Sequence, residues 1–133
     1  MTFEPEMVTA YIDALSTPGR DGAYQALLDL GAAALPFLDA AMQNETTPSV
    51  RATLIDIAWR TGSNRALPML ARCLQDDDAS VWNAALDGLV TLADWRSLDV
   101  LLAAKVEVAR DKLPWIDQAI EQIRARMQQG PRG

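Results

Sequence analysis

Between Ser49 and Thr61 the apolar and small side chains return at Val50, Leu54, Ile57, Ala58 and Thr61. Steps of three and four wind one stripe down a single α-helix. No segment sustains the period-two alternation of a half-buried strand, so none is predicted. The helical pattern instead restarts along the whole chain. It predicts helices from about Glu4 to Ser16 with Pro5 in the first turn, from a capping Asp21 to Gly31, and over 32–44 with an early Pro36. A fourth is expected after Thr47, an N-cap residue, with Pro48 at the first helical position and Gly62 at its end. The fifth covers 65–75 with an early Pro68, the sixth Val81 to Ala93, the seventh Ser97 to Ala109 and the eighth Leu113 to Met127. The chain divides into one domain over 1–128 and a short tail over 129–133 expected to be disordered.

The punctuation repeats. Val50 and Val81, Asp56 and Asp87, Arg65 and Arg96, and Leu67 and Leu98 each lie 31 positions apart, and Pro36 and Pro68 lie 32 apart. A fixed period with a helix pair in each unit is the signature of an α-solenoid, in which each unit covers the apolar face its neighbour cannot bury alone. The stretch "DDDASVWNAALDGLVTLADWRSLDVLL" resembles the short HEAT-like repeat of the phycobilin-lyase type, with its acidic turn, Val-Arg pair, alanine-rich helix, Gly-containing turn and Arg-Ala-Leu-Pro helix start. Val50, Arg51, Gly62, Arg65, Ala66, Leu67 and Pro68 match that pattern. The next unit departs from it with Trp82 for Arg, Ala93 for Gly and Asp99 for Pro. The resemblance covers about Leu35 to Leu102. It implies an all-α fold, a HEAT-like superhelix of about four antiparallel helix pairs, and a role in binding more often than in catalysis.

Composition narrows the chemistry. Half of the 133 residues are hydrophobic and only 6% aromatic, so the apolar mass is mostly Ala and Leu, suited to close helix packing. There is no histidine, which removes the commonest general base and the commonest metal ligand. The single cysteine, Cys73, sits in an apolar run and reads as a small buried hydrophobe. The three aspartates of "DDDAS" lack the alternating ligands and distal Glu of an EF-hand loop, so they read as helix caps, and no metal or cofactor is expected. A formal net charge of −6 disfavours nucleic acid and favours a protein partner with a basic surface. The acidic, amphipathic opening is unlike a signal peptide, and no apolar run suggests a membrane span; a cytoplasmic protein is expected.

At about 100° per residue, Trp59 lies opposite the stripe set by Val50, Trp82 falls on the flank with Arg51, and Asn83 and Asp87 point outward. The second helix of each pair is expected to line the concave side. Arg51, Asp56, Trp59, Trp82, Asn83 and Asp87, extended by Asp117, Gln118 and Glu121, are therefore the candidate binding residues. Aromatics ringed by charge are typical of interface hot spots. Each tryptophan has a plainer reading as packing between repeats; Trp95 is expected as a plug between units and Trp115 as an end-cap residue. The functional expectation is a non-catalytic protein-binding module, such as an inhibitor or immunity protein masking a basic toxin or nuclease. The alternative implied by the resemblance is a lyase-like protein cradling a bilin or other flat ligand.

Overall fold

The computed structural model describes residues 4–129. Among them are eight α-helices: α1 (Pro5–Ala14), α2 (Arg20–Leu30), α3 (Leu35–Asn44), α4 (Pro48–Arg60), α5 (Leu67–Cys73), α6 (Ala79–Leu92), α7 (Trp95–Ala104) and α8 (Leu113–Gln129). No strand occurs among the described residues. The last four residues of the expected tail lie outside them, and Gln129 still belongs to α8.

Proline sets how the helices begin. Pro5 and Pro48 stand at first positions, where a missing N–H costs nothing. In α3, α5 and α8 a Leu-Pro pair opens the helix, and the residues before it tighten into 3-10 turns at Gly31–Ala34, Asn64–Ala66 and Arg110–Lys112. Where Asp99 replaces that proline, α7 starts earlier, at Trp95, and the Asp94 carboxylate accepts the Ser97 N–H at 2.9 Å. The cap expected at Asp21 is not formed: Gly19 precedes α2 and Asp21 lies in its first turn. Thr47 occupies the cap position of α4 without a side-chain bond, and the Glu45 carboxylate accepts the Thr46 and Thr47 N–H groups. Gly62 and Ala93, one repeat apart, both take a positive φ, 75° and 47°, so the alanine holds a left-handed turn that its repeat fills with glycine.

The helices form two layers. α2 packs on α4, α4 on α6 and α6 on α8 in one layer; in the other, α1 packs on α3 and α5 on α7, while an Arg72–Asp39 ion pair joins α5 to α3. Leu27, Leu38, Leu54, Ile57, Leu70, Leu89, Leu101, Ile116 and Ile123 run between them as a continuous buried row. The stretch Arg20–Asn44 is long and apolar enough to cross a membrane by length and composition alone. Gly31, with a φ of 63°, breaks it into α2 and α3, which bury Leu27 and Leu38 in this row.

Among the described residues one buried side-chain group is left over. Ser97 is fully buried, and its Oγ has no hydrogen-bond partner. The repeat places it opposite Ala66, which is buried as completely as an alanine needs to be. An unpartnered buried hydroxyl costs about 1–3 kcal/mol. Ser97→Ala is therefore expected to raise stability by about 1 kcal/mol in urea unfolding; a loss of stability would mean that the hydroxyl is bonded in solution.

Candidate functional site

Placing α2, α4, α6 and α8 side by side leaves a groove of about 720 Å3 across their outer faces. Arg20 and Tyr24 line it from α2, Asp56, Trp59 and Arg60 from α4, Asp87 and Thr91 from α6, and Gln122 and Arg126 from α8. Its floor is open because Ala52 and Ala84 stand where larger side chains would fill it.

Trp59 anchors the centre. A Cβ added at Gly88 would lie 2.5 Å from Trp59 Cδ1, so the ring rests directly on the α6 backbone, and glycine is what allows it. Trp59 is thus half-buried, lying toward α6 and not pointing straight out. Angular counting missed this because α4 is covered on two sides: Ile55, well off the Val50 stripe, is as fully buried as Leu54.

A polar network fixes the α2–α4 end. Tyr24 Oη donates to Asp56 Oδ2 at 2.6 Å, Arg60 Nε donates to Asp56 Oδ1 at 3.1 Å, and the Arg60 guanidinium lies 4.7 Å from the Trp59 ring centroid. Burial, then the bond to the carboxylate, pushes the Tyr24 pKa up to about 12, so the phenol stays protonated and keeps donating. At the far end Arg126 Nη1 donates to the Val90 carbonyl at 3.0 Å. Two of the three groove arginines are thus used within the protein, as is Asp56. The Asp87 carboxylate and the Arg20 guanidinium make no hydrogen bond or ion pair among the described residues, and they are the free charges of the groove.

The sequence-predicted patch divides on this surface. Asp56, Trp59 and Asp87 line the groove; Arg51, Trp82, Asn83, Asp117 and Gln118 do not. Arg51 turns to the loop edge, where Nη1 donates to the Met42 and Glu45 carbonyls at 2.9 and 3.0 Å and Nη2 pairs with Asp76. Asp117 pairs with Lys105 at 2.8 Å, and Asn83, Gln118 and Glu121 are exposed off the groove. The patch is also less acidic than expected, since arginines outnumber aspartates on it. Tyr24, Arg60 and Arg20 were missed, although Tyr24 lies 32 residues before Asp56, close to the repeat period, and that spacing is a usable signal.

Trp82 has a structural task. It is half-buried beside Trp115, with ring centroids 6.4 Å apart, and the Lys112 ammonium lies 5.4 Å from its ring. Lys112 Nζ donates to the Leu74 and Asp76 carbonyls at 2.9 and 2.7 Å. In the preceding unit Arg51 bonds Glu45, the repeat equivalent of Asp76. Lys112 therefore does from the following turn what an arginine at position 82 would do, and Trp82 shelters it. Trp115 is 53% exposed and packs against Trp82 with the ring planes tilted by 55°; Trp95, 61% exposed at the start of α7, is not a plug between units.

Cys73 and Asp78 have structural surroundings. Burial pushes the Cys73 thiol up to about 11, which leaves it protonated and unreactive. Asp78 caps α6 through the Ser80 N–H at 2.9 Å, and its bonds to Ser80 hold its carboxyl below the usual range. Among the described residues no group of three or more His, Cys, Asp or Glu could hold a metal ion.

Stacked helix pairs with a period near 31 and one groove along the even helices define the architecture, and a family model for HEAT repeats matches residues 34–113. The chain belongs to the HEAT-repeat family. No curated protein matches it. HEAT repeats generally mediate protein–protein interaction, and HEAT-repeat proteins are usually non-catalytic scaffolds.

Proposed function

We propose that this HEAT-repeat protein is a non-catalytic binding module that receives a partner protein in the groove of α2, α4, α6 and α8. The observation that carries the reading is Trp59: a half-exposed indole held rigid on Gly88 and Arg60 at the centre of a groove with two unpaired charges beside it. Rigid aromatics backed by satisfied polar groups bind with little loss of side-chain entropy. The partner class is a protein with a basic surface, and the role is to mask it, as an inhibitor or immunity protein masks a toxin or nuclease. The net charge of −6 supports that class through long-range steering. Within the groove, where Arg20, Arg60 and Arg126 stand beside Asp56 and Asp87, the free Asp87 carboxylate is the contact for a basic side chain and free Arg20 for an acidic neighbour of it. A flat bilin-like ligand is the weaker reading, because Trp82 and Trp115 lie off the groove and leave Trp59 as its only indole among the described residues.

Photo-crosslinking tests the assignment. A crosslinker placed at Thr91 is expected to capture the partner, whereas one at exposed Asn83 is not. Association should slow as salt rises while dissociation barely changes. Equal capture at both positions, or association indifferent to salt, would count against this reading.

A further inference from the structure

Three cross-helix contacts fix the register of the groove: Tyr24 bonds Asp56, the Trp59 ring rests on Gly88, and Arg126 bonds the Val90 carbonyl. Asp56 and Asp87 therefore stand level, one repeat apart, and Arg20, Ala52 and Ala84 lie about one turn nearer the helix starts. Arg20 on α2 and Asp87 on α6 occupy opposite sides of this floor. With α4 between them, two helix spacings of about 8–10 Å each hold their backbones about 16–20 Å apart, too far for the two charges to pair. Neither is spent elsewhere among the described residues, whereas Asp56 is held by Tyr24 and Arg60. Arg60 and Arg126 border the groove about one turn beyond, each already bonded within the protein. Arg20 does not serve its own helix either. It is the first residue of α2, at the positive end of the helix dipole, where an acid stabilises and a cation does not. The groove is thus positive over α2 and negative over α6, with small side chains and the Trp59 ring between.

We infer that the groove takes a segment of the partner in one orientation: an acidic side chain of the segment at Arg20, a Lys or Arg at Asp87, and small or apolar side chains over Ala52, Ala84 and the Trp59 ring. This selectivity rests on the protein-binding reading of the groove. The gap between the two charges corresponds to about five or six residues of an extended segment at about 3.3 Å each, or about eleven to thirteen of a helix at about 1.5 Å each. A segment of one sign is rejected at one end or the other. An all-basic stretch would face Arg20 and an all-acidic stretch would face Asp87, and like charge held in contact discriminates against both. A basic partner is therefore engaged through a stretch in which a carboxylate interrupts its positive charge.

A phage-displayed library of random peptides of about 16 residues, long enough for either form, is selected on the full chain. Clones captured by a crosslinker at Thr91 are expected to carry an acid and a base at that spacing, with small or apolar residues between. Arg20 and Asp87 are both exposed, so Arg20→Glu and Asp87→Lys should leave circular dichroism and the melting temperature unchanged. Each is expected to raise the Kd of a selected peptide at least about tenfold. Exchanging the peptide's acid for Lys should restore binding to Arg20→Glu but not to Asp87→Lys, and exchanging its base for Glu should do the reverse. Peptides that crosslink through Thr91 yet lack the charge pair, or that bind Arg20→Glu as tightly as the wild type, overturn the inference and leave the groove as the binding face. A library with no clone captured through Thr91 overturns both.

Discussion

Replacing Lys112 by Met is expected to cost about 2–4 kcal/mol, because it leaves the Leu74 and Asp76 carbonyls at the end of α5 without their donor, and each buried, unmet group costs about 1–3 kcal/mol. The residue is only 8% exposed, so water cannot readily replace the ammonium. The loss would appear in urea unfolding as a lower midpoint with an unchanged slope. Adding Trp82→Arg restores the arginine that the preceding unit uses at Arg51, and the double variant should recover a good part of the loss. A Lys112→Met loss below about 1 kcal/mol would show that the lysine is not a structural tie.

Leu54→Ala is expected to cost about 3–5 kcal/mol. Leu54 is fully buried on α4, the helix that packs against α2, α3, α5 and α6. A cavity there opens between repeats that cannot collapse toward one another without shifting the stack. Chemical denaturation measures it directly; a loss below about 1 kcal/mol would mean that α4 is turned away from the core.

The fold was legible because a solenoid repeats its own instructions. Eight helices, their proline starts and the glycine at position 62 could be read from apolar spacing and punctuation, since each depends on local stereochemistry. The site was only half legible for the same reason. One helical stripe tells which way Val50 points, but not that α4 is covered on both flanks or that Gly88 draws the Trp59 ring onto α6. Trp82 shows a second gap: its departure from the repeat pattern marked a real exception. The compensating group, Lys112, sits thirty positions further along the chain and becomes visible only once the following turn is folded back. Charge misled locally, because a net charge of −6 does not say that Arg20, Arg60 and Arg126 gather on one groove.

The groove itself is tested most directly by titrating the captured partner against the wild-type chain and Asp87→Lys. Asp87 is exposed, bonds to no side chain and lies in the groove, so its reversal should leave the melting temperature nearly unchanged. The Kd is expected to rise at least about tenfold, against no change for Asn83→Lys outside the groove. An Asp87→Lys protein that binds as tightly as the wild type, with Asn83→Lys weakened in its place, would contradict the groove as the binding face.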